Sequence, residues 1–92
     1  MNIIHNPALS RFEMTTDGET AQIDYMLLDD AIAITHTRVP AKIEGKGIGT
    51  ALVKHVFAYA KEKGLAVKPY CSFVVDFLNK NEGYRGQLKL HE

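Results

Sequence analysis

From Ser10 to Thr16 polar and apolar positions alternate, with Phe12 and Met14 on one side and Arg11 and Glu13 on the other. A period of two predicts a half-buried strand. Asp17-Gly18 follows, and Asp-Gly between alternating runs predicts a hairpin, because glycine tolerates the positive φ of the tight turn. The return run, Glu19 to Leu28, puts Ala21, Ile23, Tyr25 and Leu27 on one face and Gln22, Asp24, Met26 and Leu28 on the other. After Asp29-Asp30, the run Ala31 to Val39 predicts a third strand. Ile32, Ile34, His36 and Arg38 share one of its faces, and Ala31, Ala33, Thr35, Thr37 and Val39 share the other. So little polarity on either face marks a central strand. Pro40, with no N–H to give a ladder, ends it.

The period then changes. From Gly47 to Lys63, Ile48, Leu52, Val56, Tyr59 and Ala60, flanked by Val53 and Phe57, recur at helical spacing, and Thr50, Lys54, His55, Lys61 and Glu62 fall largely opposite. Lys61 and Lys63 suit the negative end of the helix dipole, and Gly64 is placed to terminate the helix. Leu65 to Pro69 predicts a short strand, which a right-handed crossover sets parallel to the third. Phe73, Val74, Phe77 and Leu78 fit one face of a second, shorter helix with Ser72 as its N-cap. Pro7 interrupts a short N-terminal segment to which no element is assigned, Asn81 to Tyr84 is expected to be loop-like, and the tail through Gln87, Leu88 and Leu90 to add a short edge element or fray. Three antiparallel strands, a helix, a parallel strand and a helix make an α+β fold with a mixed sheet.

Ninety-two residues leave room for one domain with one core, here taken as residues 1–92. Eleven basic residues balance eleven acidic ones, which argues against a surface dedicated to nucleic acid or anionic lipid. The aromatics are not interleaved with a basic stripe either. One cysteine cannot form an internal disulfide. Neither a signal-like start nor a run of about 20 apolar residues is present, so a cytoplasmic location is expected.

Candidate chemistry concentrates where the period changes. The first amides of a helix have no intrahelical partner and lie at the positive end of its dipole, so an anion can bind there. Gly45, Gly47 and Gly49 remove side chains that would obstruct it, while Lys42 and Lys46 can add charge and Glu44 opposes it. The spacing is not that of the nucleotide P-loop, since Gly47-Ile48 follows Lys46 where Ser or Thr is required. A glycine cluster at a helix start is also often a tight connection and nothing more.

In this setting Val39-Pro40 followed by Glu44-Gly45-Lys46-Gly47-Ile48-Gly49 resembles the acetyl-CoA-binding motif of the Gcn5-related N-acetyltransferases. Gly47 and Gly49 match its two small positions, and Glu44 stands where Gln or Arg is usual. The stretch from His36 to Cys71 is similar to a subgroup of unusually small members. The resemblance implies a sheet whose parallel strands splay apart, with acetyl-CoA as co-substrate. It places the pyrophosphate on the amides of Gly45, Lys46, Gly47, Ile48, Gly49 and Thr50, with Glu44 beside them, and the pantetheine arm along Thr37, Arg38 and Val39. It implies transfer to an unidentified amine, of a small molecule or a protein, by direct attack in a ternary complex. The chain is much shorter than a typical member, and the acceptor site is either open or completed by another subunit, in a monomer or weak homodimer. The alternative is a CoA-binding or protein-interaction domain that keeps the fold without catalysis.

Such a transfer needs a proton for the departing thiolate and a neutral amine. Cys71, after the second parallel strand and before a helix, can donate that proton, become acetylated itself, or be a small buried apolar side chain. His36 can serve as the base if the splayed strands bring it near Cys71, or be a hydrogen-bonded core histidine. Tyr84 is a second candidate donor, against the blander reading of an aromatic that closes the core edge. His5, His55 and His91 have weaker contexts, and no ligand-like spacing predicts a metal.

Overall fold

In the computed structural model, which describes residues 2–89, five strands form one sheet in chain order: β1 (Ile4–Asn6), β2 (Arg11–Thr16), β3 (Glu19–Leu27), β4 (Ala31–Arg38) and β5 (Ala66–Pro69). The first four are antiparallel in succession, and β5 lies parallel to β4. The helices are α1 (Ile48–Lys63) and α2 (Ser72–Lys80). The α+β class and the mixed sheet therefore stand as expected, with β4 an interior strand. Leu90 and His91 lie outside the described residues.

The hairpin turn takes its predicted form, with Asp17 at φ 52 and Gly18 at φ 75. The inward positions Phe12, Met14, Ala21, Ile23 and Tyr25 of β2 and β3 join Leu52, Val53, Val56 and Phe57 of α1 and Val74, Phe77 and Leu78 of α2 in one hydrophobic cluster. Fully burying one such side chain is worth about 1.5–3 kcal/mol, so the packing of α1 against the sheet is the main anchor of the helix start that matters below. Gly64, at φ 71, caps the other end with its amide on Ala60 and Lys61 carbonyls.

Several expectations are corrected. The N-terminal segment is a strand before Pro7, because Ile4 to Asn6 pair with Glu13 to Arg11 of β2. Cys71, not Ser72, is the N-cap of α2, in extended backbone, and makes no side-chain capping bond. The segment after Asn81 is a 3-10 helix, Glu82–Gln87. It sets Tyr84 edge-on to Phe57 and Phe77, with ring centroids 5.3 and 5.1 Å away, so this aromatic closes the core edge. Leu88 then bridges Val67, and Lys89 donates to Asp30, whose carboxyl this hydrogen bond holds below its ordinary value.

At the opposite sheet edge, His5 stacks on Phe12 at 4.2 Å, shares a 2.7 Å hydrogen bond with the Tyr25 hydroxyl and meets the Tyr59 ring at 5.0 Å. Desolvation first, then the nearby His55 and Lys63, hold the imidazole below its ordinary pKa. Desolvation first, then Tyr59, raises that of Tyr25. This cluster ties β1 to the sheet and lies apart from the glycine-rich turn.

Candidate functional site

Two local departures from regular structure build the site. The first is a bulge in β4. Asp24 pairs with His36 and Tyr25 with Ile34, so one step along β3 matches two along β4 and Thr35 is the extra residue. Side chains alternate along a strand, and one inserted residue reverses which of them point inward. Thr37, opposite the buried Ile23, therefore takes the inward place expected for His36. His36 is exposed and stands opposite Asp24. Cys71 Sγ donates to Thr37 Oγ1 at 3.5 Å, so the structure brings Cys71 together with Thr37 and not with His36.

The second departure is the end of the parallel ladder. β4 and β5 pair only from Ala31↔Ala66 to Ile34↔Pro69, with one further bond from the Tyr70 amide to the Ile34 carbonyl. Proline cannot donate, and beyond it the chain turns into α2. Among the described residues, His36, Thr37 and Arg38 keep their β3 partners while Thr35 bulges out, and none of the four has a partner on the β5 side. The two parallel strands thus part where the sequence resemblance expects them to.

The gap opens into a cleft of about 530 Å³ lined by Thr37, Arg38, Val39, Glu44, Gly45, Gly47, Ile48, Gly49, Thr50 and Phe73. A 3-10 turn at Ala41–Ile43 leads into it, pinned by the fully buried Ile43. Gly45 and Gly47 take φ of 81 and 78, which side chains rarely adopt, and this swings the chain into the first turn of α1. Among the described residues no hydrogen bond engages the amides of residues 45–50, and the first intrahelical donor is the Ala51 amide on the Gly47 carbonyl, 3.0 Å. These donors meet the open cleft at the positive end of a 16-residue helix. Gly49 is required for another reason: a Cβ there would stand 2.5 Å from the Phe73 ring.

Of the ten expected cofactor-binding residues, nine line this cleft; the exception is Lys46, whose Nζ reaches Asp17 of the hairpin at 2.6 Å. Phe73 is the lining residue that sequence reasoning missed, having counted it with the core face of α2. It is 38% exposed while Val74 and Phe77 are buried. A signal was present in Gly49, the helix glycine that leaves room for a neighbouring ring. Cys71 is 9% exposed and lies behind Thr37. No group of His, Cys, Asp or Glu suited to a metal ion occurs among the described residues.

A family model described as GCN5-related N-acetyl-transferase matches residues 11–87, which takes in the whole cleft. The chain belongs to this family. No curated protein matches it. Among solved structures, it is similar to the NMR solution structure of a GCN5-like protein from Staphylococcus aureus whose own assignment as an N-acetyltransferase is provisional. The two share 30% identity over 99% of this chain and 90% of that one, with a TM-score of 0.76. Membership of the GCN5-related family assigns this fold to acyl transfer in general. No helix among the described residues is long and apolar enough to cross a membrane.

Proposed function

We propose that this chain is an acetyl-CoA-dependent N-acetyltransferase. The observation that carries the reading is the continuity of the cleft from the unpaired side of β4 to the free amides of residues 45–50. An extended amide-bearing arm with a diphosphate at its end matches that order of groups, and the cleft is large enough for part of such a ligand.

Acetyl-CoA supplies an activated acyl carbon and a thiol leaving group. The amides of residues 45–50 hold the diphosphate, in a cradle free of Cβ atoms at Gly45, Gly47 and Gly49. Glu44 and Arg38 both line the cleft, so its walls include residues of both charge signs. The free backbone groups of Thr35 to Arg38 pair with the arm as a short strand would. At the inner end, Cys71 and Thr37 hold a proton between Sγ and Oγ1. Thr37 lines the cleft, so its hydroxyl gives its proton to the departing CoA thiolate and takes the one on Cys71 Sγ, and Cys71 regains a proton from solvent by the same path in reverse. His36 takes no part, because the bulge points it away. The acceptor amine attacks as the free base, and its surplus proton leaves to solvent, to which this end of the cleft is open.

A melting scan with acetyl-CoA tests the binding half of this reading. A ligand at about 100 times its Kd adds about 2.7 kcal/mol of stability, and no shift at saturation sinks it. Release of free thiol in the presence of an amine and peptide panel tests the catalytic half. Binding without release on any acceptor would support a CoA-binding domain without catalysis, a reading to which the burial of Cys71 is congenial.

A further inference from the structure

The turn before α1 offers an anion many amides and little net charge. Of the residues that line the cleft, only Arg38 and Glu44 carry formal charge, one of each sign. Lys42 and Lys46 do not line it, and the Lys46 ammonium is held by Asp17 of the hairpin, Nζ to Oδ2 2.6 Å. Glu44 is exposed and forms no ion pair among the described residues. The groups left to meet a diphosphate are therefore neutral donors, the amides of residues 45–50, with a carboxylate for a neighbour.

We propose that Glu44 makes this cradle selective for a diphosphate esterified at both ends, and turns away ligands that end in a free phosphate, such as inorganic pyrophosphate or a nucleoside triphosphate. This rests on the CoA reading and deepens it. Glu44 directly precedes Gly45, so in any rotamer its carboxylate stays within roughly 8 Å of the Gly45 amide, about one Debye length at physiological salt. A carboxylate so placed opposes every phosphate that reaches the amides, in proportion to the charge of that phosphate. Esterified at both ends, a diphosphate has one negative charge on each phosphate. A free terminal phosphate carries roughly one more, because its second ionisation falls near pH 6. That extra charge meets more repulsion from Glu44, and the turn has no free lysine to answer it, since Lys46 is already paired. Discrimination thus comes from what the wrong ligand encounters, while the amides serve both ligands alike.

Calorimetric titration of the intact chain and of Glu44→Gln, in metal-free buffer of low ionic strength, tests this without turnover. The probes are 3′-dephospho-CoA, whose diphosphate is esterified at both ends, and inorganic pyrophosphate, read by displacement of dephospho-CoA where direct heats are small. The native chain is expected to prefer dephospho-CoA. Glu44→Gln should tighten dephospho-CoA by about threefold and pyrophosphate by roughly five- to tenfold, because the penalty grows with ligand charge. Salt at 1 M should remove most of both gains, as the Debye length falls to about 3 Å. Glu62→Gln removes the same charge near the far end of α1, about 20 Å along the helix, and should change neither affinity. Unchanged or weaker binding in Glu44→Gln, or equal gains for the two probes, overturns the selectivity assignment and leaves the CoA reading standing. No binding of dephospho-CoA to the native chain overturns both. Circular dichroism of each variant confirms that the fold is intact.

Discussion

Ala31 to Ile34 and Thr35 to Arg38 are halves of one strand, yet the first four residues are fully buried and paired on both sides, whereas the second four are mostly exposed and, after the bulge at Thr35, paired on one. Nothing in their β propensity requires this, since Thr, Ile and Ala alternate through most of the run. The difference comes from neighbours: β5 reaches only to Pro69, and a bulge at Thr35 turns the remaining side chains over. A buried half holds the strand rigidly in the sheet so that the other half can leave backbone groups unpaired. The strand thus serves as both foundation and binding edge, with one inserted residue between the two roles.

Substitutions in the two halves should separate stability from function. Ile34→Ala, in the buried half, is expected to cost about 2–5 kcal/mol and lower the melting temperature by roughly 10 °C or more, while retaining ligand affinity in whatever fraction is folded. Denaturant titration beside calorimetry checks this. Gly49→Glu, at the far wall of the cleft, should do the reverse. It sets a carboxylate among the amides and drives a Cβ toward the Phe73 ring, so affinity for acetyl-CoA should fall about a hundredfold, ~2.7 kcal/mol. Unchanged affinity in that variant would remove the diphosphate assignment. Cys71→Ala and Thr37→Val are each expected to slow thiol release by about a hundredfold with little change in KM. Equal turnover would return both side chains to a structural role.

A weaker effect should appear at the opposite sheet edge. Folding lowers the His5 pKa, so as pH falls the unfolded chain takes up this proton first. The stability tied to neutral His5 is full above the ordinary value of 6.5 and is lost progressively below it, down to the folded pKa. Melting temperature should therefore decline as pH falls below about 6.5, and His5→Gln should flatten that decline. The same slope in both proteins would assign it to other groups. Smallest of all is His36→Gln, on the face turned away from the cleft: turnover should stay within about twofold. A large loss there would mean that the bulge does not set the working face.

The contrast also marks what the sequence made legible. Strong periodicity gave α1, the hairpin and the parallel crossover, and the glycines with Pro40 located the cleft. The bulge was hidden, because Thr35, His36, Thr37 and Arg38 continue a strand-like pattern whichever way they face. An inserted residue changes the parity of the pairing without changing composition, and parity was what placed His36 inward. The side chain of Lys46 is turned from the cleft by a partner the local sequence does not show, since Asp17 is 29 residues away in a turn that the fold brings alongside. Phe73 was misassigned since an apolar residue at helical spacing reads as core, and its exposure depends on where α1 begins. The strand before Pro7 was missed because three residues carry too little pattern; their ladder with β2 defines them.

The closing of β5 has a consequence for how this chain behaves in a crowd of its own kind. Leu88 bridges Val67, and the Lys89 amide donates to the Val67 carbonyl at 2.9 Å, so the outer side of β5 is occupied at its middle. A strand from another molecule has no long bare rim to extend there, and at the other border it meets only the three residues of β1. The inner side, between β4 and the start of α2, is left bare but recessed in a cleft that a slender chain can enter and a second sheet cannot. An edge that would otherwise invite aggregation is thereby kept for a ligand.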